Sequence, residues 1–114
     1  MLTIEALKNY GANTAEGLAR CMNNEAFYLR LAGMGLKDAN FDKLQNAVAA
    51  GSVKDAFEAA HALKGVLGNL ALTPLLNPVS EMTELFRGQE EMPDVAGLMN
   101  QVSEQLEKAR ALLA

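Results

Sequence analysis

Histidine and cysteine occur once each in this sequence, as His61 and Cys21, and tryptophan not at all. One cysteine excludes an intrachain disulfide, and one Cys with one His excludes the usual Cys/His metal clusters, so no metal and no cofactor is expected on this chain. Cys21 reads as a small buried hydrophobe. Aromatic residues make up only 5% of the sequence, and β-branched residues are few, which speaks against a sheet protein. No run rich in Lys and Arg exists and the net charge is −4, so binding to nucleic acid through phosphate contacts is excluded as a main role. The same balance makes an anionic membrane surface an unsuitable partner. With no long apolar run and no N-terminal signal pattern, the expectation is a soluble cytoplasmic protein.

What the sequence does hold is half apolar residues, supplied mainly by Leu, Ala and Met, all good helix formers. Its 114 residues suit a single all-α domain. No internal repeat or linker-like stretch interrupts it. Met1 at the start and a helical pattern up to Ala114 favour a stand-alone protein over a piece of a hybrid kinase, and a monomer is the expected state.

Breakers at Gly11, Met22 to Asn24, Lys37 to Asn40, Gly51-Ser52, Thr73 to Pro78 and Gly88 to Pro93 divide the chain into helix-sized pieces. Thr3 is expected to cap a short helix toward Tyr10, and Asn13 or Thr14 a second one through Arg20. Asn24 is expected to cap a helix from Glu25 to about Leu36, with Phe27, Leu31 and Met34 on its inner face. Asn40 is expected to cap the next, with Phe41, Leu44 and Val48 inward and Gly51 at its end. Ser52 caps a long helix through Leu70 or Leu72, with Asp55 at its third position. Pro74 and Pro78 leave two starts open for the following helix. A first turn at Pro74, distorted near Pro78, is preferred, because a proline inside a helix costs roughly 3 kcal/mol. That helix runs to Phe86 or Arg87, and a last one from Pro93 or Asp94 to the C terminus. Long helices on short connections predict an up-down-up-down four-helix bundle at about residues 24–114, with a short helical segment at about 3–20 covering one end.

The segment from Phe57 to Leu70 carries the chemistry. At ~100° per residue, Leu63 and Leu70 point roughly opposite His61, with Ala56, Ala59, Val66 and Leu67 beside them. His61 therefore faces away from the core. Its outward neighbours are Lys54, Phe57, Lys64, Gly65 and Gly68. A glycine inside a helix loses about 1 kcal/mol against alanine, so two on one outer face are costly if only solvation is needed. They leave bare backbone beside the imidazole, where another macromolecule can approach. A neutral imidazole is a nucleophile near neutral pH and can take a phosphoryl group, and Lys64 one turn on can offset its charge. No GxxxxGK phosphate loop and no Mg²⁺-binding carboxylate cluster accompany them, so the chain reads as half of an active site.

His61-Ala62-Leu63-Lys64-Gly65, followed by Gly68-Asn69-Leu70, resembles the H-x-L-K-G signature of histidine phosphotransfer (HPt) domains, and the layout of helices around it is similar over the whole chain. The resemblance implies a carrier in a multistep phosphorelay, with no kinase activity of its own. The carrier would accept a phosphoryl group from a receiver-domain aspartate and pass it to another. His61 would be the phosphorylated residue and Lys64 the lysine that assists phosphate. Gly65 and Gly68 would be the small residues at which the receiver docks, with Phe57 and Lys54 as candidate docking residues. Response-regulator receiver domains and a hybrid sensor kinase would be its partners, with Mg²⁺ supplied by the receiver. The family often has Gly where this chain has Ala71, and Arg87 falls where some members place a basic residue near the histidine. A binding module acting by occupancy, without phosphotransfer, is the alternative. An enzyme acting on a small molecule lacks a pocket-forming constellation. Met34, Met82 and Met99 read as core filler, and Glu81, Glu84, Glu90 and Glu91 as a solvated acidic face.

Overall fold

The computed structural model describes residues 1–114, and all of its regular structure is helical. Seven helices follow one another: α1 (Ile4–Tyr10), α2 (Thr14–Arg20), α3 (Glu25–Leu36), α4 (Asn40–Ala50), α5 (Val53–Asn69), α6 (Thr73–Phe86) and α7 (Ala96–Ala111). Side-chain caps begin four of them. Thr3, Asn13, Asn24 and Ser52 each accept a hydrogen bond from a backbone N–H of the first turn of α1, α2, α3 and α5. The start of α4 differs from the expectation. Asn40 is already inside the helix, and Asp38 Oδ1 accepts from its backbone N–H at 2.8 Å. The start of α7 is also later than expected: Asp94 accepts from the N–H of Ala96, so Pro93 and Asp94 stay outside.

Two expectations fail for reasons of packing. The α6 helix runs unbroken through Pro78, which lies inside it and is buried. Burial of the pyrrolidine ring offsets part of the lost backbone bond. In α3 the buried face is Tyr28, Ala32, Gly35 and Leu36, one residue round from the expected Phe27, Leu31 and Met34. A Cβ on Gly35 would come within 2.6 Å of Leu70 Cδ1, so this glycine lets α3 lie close to the end of α5. Met34 is left 62% exposed and is not core filler; Met82 is fully buried and Met99 half-buried.

Each of α4, α5, α6 and α7 packs along the next, with tight turns at 51–52 and 70–72 and a longer connection at 87–95, which is the up-and-down bundle. Leu44, Leu63, Leu67, Leu75, Val79, Met82, Phe86 and Val102 fill its centre. Helices α1 to α3 meet this bundle at one end. The Tyr28 hydroxyl donates to Leu70 O at 2.8 Å, Asn13 N donates to Ala71 O at 2.9 Å, and Arg110 Nε donates to Leu36 O at 2.7 Å. A 17-residue helix such as α5 is only about 25 Å long, so the 42 Å length of the molecule requires the added layer at its end. The covering layer thus includes α3, which the spacing had assigned to the bundle.

Candidate functional site

Ser52 starts α5 and a Schellman arrangement ends it. Ala71 N donates to Gly68 O and Leu72 N to Leu67 O, with Ala71 in the left-handed region at φ 54°. Between these ends Ala56, Ala59, Ala60, Leu63 and Leu67 are buried, which fixes the rotation of the rod. His61 stands on the opposite side and is exposed, as its phase in the sequence required. Its ring is not free to wander, because Phe57, one turn earlier, stacks on it with centroids 5.7 Å apart and planes inclined by 13°. Offset aromatic contacts of this kind hold orientation at small cost. The Arg87 guanidinium, at the end of α6, lies over the Phe57 ring at 5.2 Å from its centroid. Phe57 is half-buried between these two groups, so it is a support for the imidazole.

Lys64 faces the same side. Its ammonium lies 3.6 Å from Glu84 Oε1, and Arg87 Nε lies 3.2 Å from Glu84 Oε2, with a second contact from Arg87 Nη2 to Oε1 at 3.3 Å. Hydrogen bonding from Arg87, followed by its charge, holds the Glu84 carboxyl below its ordinary range. Glu84 is therefore more than part of a solvated acidic face. The reading from sequence missed it because the contact crosses from α6 to α5 and has no spacing signature in the chain. Arg87, weakly suggested by resemblance alone, is brought within one aromatic ring of the histidine.

On the other side of His61 lies a shallow groove lined by Glu16, Arg20, His61, Lys64, Gly65, Gly68, Asn69 and Leu76. Its floor is the bare backbone of α5. A Cβ on Gly65 would meet nothing within 4 Å, and one on Gly68 only Leu76 Cδ1 at 3.9 Å. Nothing inside this chain requires a glycine at either position. The wall formed by Glu16 and Arg20, paired at 3.0 Å, comes from α2 and was not foreseen. The i,i+4 spacing of that pair is visible in the sequence, but its place beside His61 depends on how α2 docks. Lys54 is exposed two turns before His61 and does not line the groove.

The arrangement offers an accessible nucleophilic ring stacked on Phe57, with Lys64 in the same groove, Arg87 on the Phe57 ring, and open backbone for a visitor. No group of three His, Cys, Asp or Glu side chains is placed to hold a metal ion. A family model described as Hpt domain matches residues 38–112, which spans α4 to α7 and the whole of the His61 helix. The chain belongs to the Hpt domain family. Hpt domains are histidine phosphocarrier modules of phosphorelays and not kinases. Comparison with curated proteins and with solved structures gave no significant match. The Hpt match begins two residues before α4, so α1 to α3, including the Glu16–Arg20 wall, lie outside the matched stretch. No helix is long and apolar enough to cross a membrane.

Proposed function

We propose that His61 is the phosphoryl carrier of a multistep relay, receiving the group from one receiver-domain aspartate and delivering it to another. In the first step a lone pair of the neutral imidazole attacks phosphorus. The N–P bond forms as the acyl phosphate P–O bond breaks, and the receiver aspartate leaves as a carboxylate. The imidazole keeps its other N–H and carries the compensating positive charge; onward transfer reverses these changes on the second receiver. Lys64, and Arg87 behind Phe57, offset charge on the travelling group. The carboxylates and Mg²⁺ that such a transfer needs would come from the receiver, which completes the site. A monomer in the cytoplasm, meeting receivers and a hybrid sensor kinase in turn, suits this role.

The observation that carries the reading is the exposed His61 ring, set over backbone that this chain does not itself cover. An occupancy module would need no such nucleophile. Incubation with a phosphorylated receiver from the same organism is expected to give a base-stable, acid-labile label on the wild type and none on His61→Gln. No label from any of the organism's receivers would overturn the proposal. Full signalling by His61→Gln in cells would favour the occupancy module instead.

A further inference from the structure

Lys64 lines the groove at His61, Arg87 lies over the Phe57 ring that stacks on His61, and both cations are already engaged by one carboxylate. Lys64 Nζ lies 3.6 Å from Glu84 Oε1, and Arg87 approaches both Glu84 oxygens at 3.2 and 3.3 Å. Arg87 also covers the face of Phe57, whose ring stacks on His61. His61, Phe57, Arg87, Glu84 and Lys64 thus form one contact path across α5 and α6. All three charged side chains are more than 40% exposed, so each can swing without breaking the core. Glu84 makes no side-chain hydrogen bond to the backbone that would fix it for a structural purpose, and its partners are those two cations.

We propose that Glu84 is an internal stand-in for the phosphoryl group: it holds Lys64 and Arg87 while His61 is bare, and yields them to the phosphoryl group once His61 carries it. This inference rests on the carrier reading of His61. The physical reason is competition between two anions for the same two cations. A phosphoryl group on the ring brings up to two negative charges and three acceptor oxygens, against one charge and two oxygens on Glu84. The cations therefore move to the phosphoryl group when it is present. Glu84, left behind, opposes that group by its own negative charge. It thereby makes the loaded state less favourable than two free cations alone would, and onward transfer easier. A carrier must load and unload with comparable ease, and a resident carboxylate sets that balance without touching the reacting atoms. Glu84 is in this sense a positioning residue, acting through Lys64 and Arg87.

The test compares wild type with Glu84→Gln and Glu84→Asp, all exposed substitutions that leave the core alone. In mixtures with a phosphorylated receiver brought to equilibrium, Glu84→Gln is expected to raise the ratio of phosphohistidine to phosphoaspartate by up to about fivefold at low salt, the order of one unit-charge interaction at ionic contact in water-like surroundings. The gain is expected to shrink at high salt, and Glu84→Asp to restore the wild-type ratio in large part. Equal ratios for wild type and Glu84→Gln would overturn the proposal. A second arm needs no receiver. Phosphoramidate donates its phosphoryl group to His61, forming the N–P bond and releasing ammonia, and the Arg87 Nε–H resonance is followed by NMR. It is expected to shift on phosphorylation of the wild type as Arg87 leaves Glu84, and to shift far less in Glu84→Gln. An unmoved Arg87 resonance in the wild type would also overturn it. If no receiver loads the wild type, the relay reading fails, and the NMR arm still decides the role of Glu84.

Discussion

Gly65 lies in the interior of α5, where glycine costs about 1 kcal/mol against alanine through backbone entropy. A Cβ there meets no atom within 4 Å, so alanine adds no clash and recovers that energy. For a chain of this size about 1 kcal/mol raises the melting temperature by roughly 4 °C. The same methyl stands in the groove that His61 lines, where on the proposed carrier reading a receiver would bring its aspartyl phosphate to the ring. A misplacement of about 1 Å at reacting groups costs up to 10²-fold in rate. Gly65→Ala is therefore expected to be more stable than wild type and to accept phosphoryl groups about tenfold more slowly. Gly65→Gln, with a longer side chain over the same floor, is expected to lose about a hundredfold while still folding. Thermal unfolding by circular dichroism and receiver-to-carrier transfer on a rapid-quench instrument supply the two readouts. Wild-type rates in Gly65→Gln, or a destabilised Gly65→Ala, would refute the idea that the glycine serves an approaching partner.

Ala71 occupies the left-handed position that ends α5, so Ala71→Gly relieves about 1 kcal/mol of strain and forfeits about 0.8 kcal/mol from its buried methyl. The net change by chemical denaturation is expected to be near zero, whereas Ala59→Gly, buried in mid-helix, is expected to cost about 2 kcal/mol. Tyr10 donates its hydroxyl to Gln105 O, and burial pushes its pKa up to about 12. The folded state then holds that proton where the unfolded chain loses it, so this contribution is complete below the ordinary value of 10 and fades as the pH rises from 10 toward 12. Tyr10→Phe is expected to flatten the stability profile in that window, and an unchanged profile would sink the assignment. Phe57→Leu keeps an apolar side chain but removes the stacked ring. It is expected to leave folding nearly intact, broaden the His61 imidazole resonances as the ring gains rotamers, and slow transfer severalfold.

The outward phase of His61 was legible because helical periodicity is a local property: Leu63, Leu67 and Leu70 recur at steps that put the imidazole opposite them. Caps at Thr3, Asn24 and Ser52 were legible for the same reason, since each acts on N–H groups two or three residues away. What stayed hidden depends on neighbours far along the chain. The one-residue rotation of the α3 face follows from Gly35 meeting Leu70, and Phe27, Leu31 and Met34 have equally good periodicity when read alone. Gly17 is a similar case. A Cβ there would come within 2.5 Å of the Tyr28 ring, so α2 and α3 can meet only because it is absent. Ala39 stands at the cap position of α4 in place of Asn40, which enters the helix with its N–H donated to Asp38 Oδ1, a choice that only the fold makes. The site divides along the same line. His61, Lys64, Gly65 and Gly68 share one helix and were read together, while Glu84, Arg87, Glu16 and Arg20 arrive from other helices.

The Hpt match begins at residue 38, yet the segment before it reaches the functional helix at two levels. The carbonyls of Leu70 and Ala71 lie just past the last turn of α5, where the helix itself offers no donor. The Tyr28 hydroxyl takes Leu70 O, and Asn13 N takes Ala71 O. Both donors lie in the first 37 residues. They tie down the end of the rod that carries His61, against which fraying would blur the position of the ring. The second level is the groove itself, because Glu16 and Arg20 wall it from α2. On the proposed carrier reading, a receiver docking over Gly65 and Gly68 would meet that ion pair in the same groove. The added helices thus hold the end of the bundle and also give the His61 groove an ion pair that α4 to α7 do not supply.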